Sequence, residues 1–249
     1  MSNFLKFMAV WTVLFAVCVI IGNIYVIYAV DFLLFVVMFC GVKFLPLNFF
    51  GKSVCKIKDS PKNTIFLSFD DGPNPNITPR VLELLDKYAQ KASFFLIAEK
   101  AKKRPEIVKK IIENGHTLGS HDLHHRWTSN FRKTKQMTAQ IGESVRILEE
   151  ISQTKIKFYR PPVGLSNPHM FFALKKLDLQ CVGWSKSACD GGNRIRSAIK
   201  KIPNLSGAKD GDIILLHDDC PPANEELFLQ NLEELFINLE RFGKKSEKI

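Results

Sequence analysis

The chain has 249 residues, with 35 Lys and Arg against 25 Asp and Glu and a formal net charge of +10. That length holds one barrel-sized domain with an appendage and excludes a long string of domains. The charge is mostly a lysine surplus without the interleaved aromatic and basic residues of an RNA-binding sheet. It therefore argues against nucleic acid and toward an anionic membrane surface or glycan carrier as partner.

The appendage comes first. From Phe7 to Phe39 the only formally charged side chain is Asp31. This run is too long for the apolar part of a cleavable signal peptide, shows no small-x-small cleavage pattern, and exceeds the ~20 residues of one membrane span. Gly22-Asn23 near its middle reads as a turn, so residues 1–45 are expected to be an anchor of two short spans, 4–21 and 24–42. A single tilted anchor with an interfacial second part is the alternative. Lys6 precedes the run, whereas Lys43, Lys52, Lys56, Lys58 and Lys62 come after it. The positive-inside tendency then favours a cytoplasmic domain on a bacterial inner membrane. The cysteines do not decide the compartment: Cys18 and Cys40 lie in the apolar run, and Cys55, Cys181, Cys189 and Cys220 lack CxxC spacing.

A basic linker is expected over 46–62, and after it a domain over 63–243 in which strand and helix signals alternate. The apolar run from Thr64 ends in Asp70-Asp71-Gly72-Pro73. Adjacent carboxylates repel, so such a pair at a strand end suits a cation or proton chemistry; an Asp-rich turn is the bland alternative. Thr78 and Pro79 read as cap and first residue of a helix to about Tyr88. A strand at 93–97 and a helix at 105–114, stopped by Gly115, come next. In the run 115–125, His121 and His125 stand at i and i+4, so that on a helical turn both imidazoles point at one ion. His124 offers an i, i+3 alternative, and His116 and His169 are expected to be structural.

A helix is expected at about 138–151, and then the apolar Phe158-Tyr159 delivers Arg160 into a Pro161-Pro162-Val163-Gly164 loop. Helices at 168–177, behind the Asn167 cap, and at 193–201 flank a strand near 180–184. Another apolar strand, 212–216, ends at His217. Apolar residues at helical spacing from Glu225 to Phe242 predict a terminal helix, which Gly243 ends, and residues 244–249 are expected to be a frayed basic tail. Strand ends carrying Asp, His and Arg in turn suggest one rim of an α/β barrel.

Ser68 to Pro73, His121 with His125, Arg160 to Gly164 and Leu215 to Asp218 resemble, in order and approximate spacing, the successive motifs of the polysaccharide deacetylase family of carbohydrate esterases, the NodB homology domain. The resemblance implies a distorted (β/α) barrel and metal-dependent hydrolysis of the acetamide of an N-acetylated sugar, in a polysaccharide or cell-envelope glycan, by a metal-bound water. It implies Asp71, His121 and His125 as metal ligands, Asp70 as general base and His217 as general acid. It also implies the Val163 N–H as oxyanion donor, Arg160 orienting Asp70, Asp190 orienting His217, and Tyr159, Pro162, Trp184 and Leu215 lining the substrate groove. One carboxylate with two imidazoles leaves a coordination position open and suits Zn²⁺, with Co²⁺ or Ni²⁺ also possible. The chain departs from the family at Val163, where an aromatic residue is common, and after Asp190, where a Trp is missing. A deacylase of a membrane lipid-linked saccharide is the alternative enzyme, and a catalytically silent, membrane-tethered glycan-binding protein the alternative from another class. Many relatives act outside the membrane, which keeps an extracytoplasmic domain open.

Overall fold

The structure, a computed structural model, describes residues 3–249. Two helices open the chain, α1 (Asn3–Ile21) and α2 (Ile24–Lys43). Gly22, at φ +73°, breaks the apolar run. Asn23 caps α2, its side-chain oxygen accepting the Tyr25 and Val26 N–H groups at 3.1 and 3.4 Å. Two helices thus stand on either side of Gly22-Asn23, an arrangement compatible with the expected hairpin. At 19 and 20 residues each is long enough to cross a bilayer, and almost none of their apolar side chains is buried.

The domain alternates strand and helix as the pattern requires: β1 (Ser53–Val54), β2 (Thr64–Asp70), α3 (Thr78–Lys87), β3 (Ala92–Leu96), α4 (Ala98–Lys103), α5 (Pro105–Glu113), β4 (Thr117–Ser120) and α6 (Thr134–Ser152). Next come β5 (Phe158–Tyr159), α7 (Pro168–Lys176), β6 (Gln180–Val182), β7 (Lys186–Ser187), α8 (Arg196–Ile199), β8 (Ile213–His217), α9 (Glu225–Arg241) and β9 (Lys245–Glu247). All named strands pair in parallel in the order β1-β6-β5-β4-β3-β2-β8-β7, with β9 added on β2.

The sheet curls into a distorted (β/α) barrel whose ends meet through one extended stretch. Gly183 N–H donates to Val54 on one side, and Ser185 N–H donates to Ile213 on the other. Lys56 bridges to Asp212 close by, Nζ to carboxylate 3.0 Å. Strand alternation separates two faces. Ile65, Leu67 and Phe69 pack outward in the main core with helix residues such as Leu82, Leu232 and Phe236, while Phe66 joins Phe95, Val182 and Ile213 in a separate cluster. Ser68 and Asp70 share the face of Phe66, and that is how a carboxylate reaches the barrel mouth.

Several local expectations are corrected. The stretch expected as a linker contributes β1 to the sheet and, just before it, Leu45 to the core. The expected frayed tail is β9, which takes the part of the β2 edge, Thr64–Phe66, that β3 leaves open. Thr78 does not cap α3; its hydroxyl accepts the Asn74 N–H at 2.8 Å and donates to Asp218 at 2.5 Å. The helix expected over 193–201 shrinks to α8, because Cys189, Gly191, Gly192 and Asn193 take left-handed conformations at φ +57°, +59°, +69° and +58° that delay helical geometry.

Candidate active site

Register assembles the site before any side chain is considered. Pairing of β2 with β8 sets Asp70 opposite His217, and pairing of β4 with β5 sets Ser120 opposite Tyr159, so that His121 and Arg160 come next, side by side. All four lie at strand C-terminal ends, the rim at which barrel enzymes place their chemistry.

Arg160 is fully buried and uses every arm of its guanidinium. It donates to Asp70 Oδ1 at 2.7 Å, Ser68 Oγ at 2.9 Å, and the Val182 and Gly183 carbonyls at 3.3 and 2.9 Å. The Phe95 ring lies 4.0 Å from its central carbon. A planar cation between an aromatic face and four acceptors is a fixed post, and it leaves Asp70 Oδ2 facing His121 Nε2 at 3.7 Å.

The candidate metal ligands converge. Asp71 Oδ1 is buried without a hydrogen-bond partner, yet lies 3.2 Å from His125 Nε2 and 3.6 Å from His121 Nε2. Ligand atoms on one tetrahedral Zn²⁺ are about 3.3 Å apart, since each bond is about 2.0–2.1 Å. His121 donates from Nδ1 to the Arg160 carbonyl at 2.9 Å, which fixes the tautomer that leaves Nε2 free as a ligand. Burial, reinforced by the neighbouring His121, lowers the pKa of His125 and favours the neutral imidazole a metal needs. Burial opposes ionisation of Asp71, but the imidazoles of His121, His125 and His217 and the Lys100 ammonium outweigh it and hold this carboxyl below its usual range. Asp71, His121 and His125 therefore fit a divalent ion.

His121 and His125 meet, but not on a helix. Residues 121–126 form a loop, with Asp122 at φ +72° and His125 at φ +53°. The buried Asp122 carboxylate ties that loop down by accepting from Ser129 and from Gln140 of α6. The same turn carries His124 away, and its Nδ1 lies 2.9 Å from Glu99 instead. His116 is a core residue accepting the Ala92 N–H, and His169 pairs with Thr134.

On the opposite side, His217 Nδ1 contacts both Asp190 oxygens at 3.0 and 3.1 Å, and Asp190 is fully buried. Burial alone would lower the His217 pKa; the hydrogen bond and charge of Asp190, with Asp70 and Asp71 beyond, push it up to about 9. Val163 is exposed in a tight turn at φ +51°. That turn is wedged in place because any Cβ on Gly164 would come within 2.5 Å of the Trp184 ring.

Trp184, Pro162 and Leu215 lie around this rim, Leu215 on the strand face of His217. Tyr159 does not. It is buried in the cluster with Met137, Ile141 and Met170, because the alternation that sends Arg160 inward sends Tyr159 outward to α6 and α7. Supporting residues without a sequence signal also appear. Lys100 donates to the Asp71 carbonyl and to Asp219, both at 2.8 Å, and Asn193 donates to the His217 and Asp219 carbonyls at 2.6 and 3.0 Å. The Asp218 carboxyl is pressed against Gly72, where a Cβ would lie 2.3 Å from its oxygen.

The sequence profile of the family described as polysaccharide deacetylase matches residues 57–182. A chitooligosaccharide deacetylase of Azorhizobium caulinodans is 34% identical over 163 residues, 65% of this chain and 76% of that protein. A peptidoglycan-N-acetylglucosamine deacetylase of Bacillus cereus is 35% identical over 156 residues, 62% and 72% of the two chains. The solved peptidoglycan deacetylase of Bacillus subtilis superposes with a TM-score of 0.67 at 26% identity, covering 77% of this chain and 90% of that one. The chain belongs to the polysaccharide deacetylase family, hydrolases of non-peptide carbon–nitrogen bonds. The matched residues include Asp70, Asp71, His121, His125, Arg160 and Val163; Asp190 and His217 lie beyond them in sequence and join them through the fold.

Proposed function

We propose that the protein is a membrane-anchored, metal-dependent carbohydrate N-deacetylase that hydrolyses the acetamide of an N-acetylated sugar in a cell-envelope glycan. The observation that carries this reading is the buried, unpartnered Asp71 Oδ1 facing two imidazoles between the Arg160-held Asp70 and the Asp190-held His217. Asp71, His121 and His125 would hold the ion, Zn²⁺ being favoured by the donor set. When bound, it supplies an acidified water and a Lewis acid for the acyl carbonyl.

The chain's own groups do the rest. Asp70, with Oδ1 occupied by Arg160, accepts the proton of the attacking water at Oδ2. His217, kept protonated by Asp190 near neutral pH, donates from Nε2 to the departing amine. The Val163 N–H, held in its wedged turn, meets the negative charge that develops on the acyl oxygen. Pro162, Trp184 and Leu215 form the wall against which the sugar ring lies.

The hairpin of α1 and α2 is read as the anchor, with both ends on the domain's side. One contact favours the second reading, a lipid-linked saccharide as substrate. Ser166, three residues after Val163, hydrogen-bonds to the Gly41 and Val42 carbonyls in the last turn of α2, which ties the oxyanion loop to the membrane end of the hairpin. Acetate release from N-acetylated oligosaccharides and from a lipid-linked N-acetylated acceptor, measured side by side with metal-loaded protein, separates the two. Release from neither would leave the glycan-binding alternative.

A further inference from the structure

A groove of about 1040 Å³ lies on the flank of the barrel where α1 begins. It sits at the upper end of the range for small-molecule sites, about 300–1,000 Å³. Its walls come from Phe4 and Leu5 in the first turn of α1, from the segment before β1, from α7, and from the N-terminal ends of β5 and β6. Arg160 and Val163 lie past the opposite end of β5, so the groove is not part of the catalytic rim.

Its surface has two chemistries. Phe4, Phe50, Phe171 and Phe172 provide an aromatic floor. The floor is closed beneath Gly51, where a Cβ would meet the Phe171 ring at 2.3 Å. Phe172 is 58% exposed, a costly arrangement for an aromatic facing water alone. Around this floor stand Lys52, Lys155, Lys157 and Lys175, all exposed, with Asp178 the only acidic residue in the lining. Among the described residues no carboxylate lies within ion-pair distance of any of the four ammonium groups. Four uncompensated cations around an apolar trough call for an occupant that is anionic at one end and apolar at the other.

We propose that this groove binds an anionic phospholipid of the leaflet facing the domain, the phosphodiester among Lys52, Lys155, Lys157 and Lys175 and the acyl chains along the phenylalanine floor. The inference rests on the hairpin reading, which puts Phe4 and Leu5 at the membrane surface, where a lipid enters sideways. Basic pockets beside membrane helices select anionic headgroups in this way. The phospholipid is a structural ligand that fixes the barrel's orientation on the bilayer.

The test titrates the full chain in mild detergent with dihexanoyl phosphatidylglycerol and with dihexanoyl phosphatidylcholine, by calorimetry. We expect saturable 1:1 binding of the glycerol lipid at least tenfold tighter than the choline lipid. The Lys155→Glu/Lys157→Glu/Lys175→Glu protein should lose that preference, and Phe172→Asn should weaken both lipids. A control with Lys102→Glu, Lys103→Glu and Lys110→Glu, remote from the groove, should bind as wild type. Equal affinity for the two lipids, or a preference that survives charge reversal in the groove, overturns the proposal. Flotation of the same proteins with phosphatidylcholine vesicles tests the anchor separately: failure to float removes the hairpin reading, while the titration in solution still decides the groove.

Discussion

Asp71, His121 and His125 supply three ligand atoms within 4.8 Å of one another, whereas His124 turns to Glu99. His125→Ala should therefore lose bound metal, by elemental analysis of dialysed protein, and His124→Ala should keep it. The opposite result would reassign the imidazole. Asp70→Asn should retain metal and lose about 10²- to 10⁴-fold in kcat, the usual worth of a general base. For His217, held up to about 9 by Asp190, the protonated form needed for leaving-group departure is lost only as pH rises through that value. Asp190→Asn removes the cause, so the alkaline limb of the kcat–pH profile should move down by roughly one to two pH units. An unmoved limb would take the general-acid role from His217.

A second histidine bears on stability. Burial lowers the His116 pKa from 6.5 to about 4, with Lys91 and Lys248 adding to the effect. The unfolded chain binds this proton first, so the contribution of neutral His116 is complete above about pH 6.5 and is lost as pH falls toward 4, at up to ~1.4 kcal/mol per pH unit. His116→Gln should flatten the fall in urea midpoint between pH 7 and pH 5. A fall as steep as in wild type would show that other groups carry it.

Among the elements, β9 departs furthest from its sequence signal. Lys244 to Ile249 looks like a charged, fraying end, yet Ser246 is buried. Its N–H donates to Gln90 at 2.6 Å and its carbonyl accepts from Lys91, while the Ile249 N–H donates to Ser93. Removing residues 244–249 uncovers the first half of the β2 edge and leaves these partners unpaired. Each lost bond costs about 1 kcal/mol, so a loss of roughly 2–4 kcal/mol is expected in denaturant titration. An unchanged midpoint would mean that β9 adds nothing to the sheet. The loop holding His121 and His125 behaves alike: helical spacing identified the pair, but a buried Asp122 carboxylate bonded to Ser129 and Gln140 replaces the helix with a left-handed turn.

In the whole molecule, the hairpin and the barrel meet at one end. Phe4 N–H donates to Phe49, Phe4 packs on Phe49 and Phe50, and Ser166 reaches the end of α2. With Lys43, Lys52, Lys56, Lys58 and Lys62 gathered on that side, the hairpin is expected to leave the domain in the cytoplasm. A reporter fused after Lys58 should be active if it works only in the cytoplasm. Activity of an export-dependent reporter there would place the enzyme outside, acting on polymer.

The sequence by itself determined the parts whose physics is local. Apolar alternation ending in a polar residue sets strands that deliver Asp70, Arg160 and His217 to one rim; Gly22-Asn23 divides the apolar run; Asn167 caps α7. It also pointed to Asp71, His121 and His125 together, because few residue types bind a divalent ion and their order along the chain matches the family's motifs; the fold brings their candidate ligand atoms within 4.8 Å of one another. Tertiary structure decided what depends on register between distant segments. Arg160 finds Ser68 across 92 positions and Lys100 finds Asp219 across 119, and no periodicity encodes either pairing. Tyr159 left the expected groove because strand alternation allows only one of two neighbours to face inward. The basic tail became β9 because a stretch of β2 edge stood open, and an open edge is visible only once the strands have been aligned.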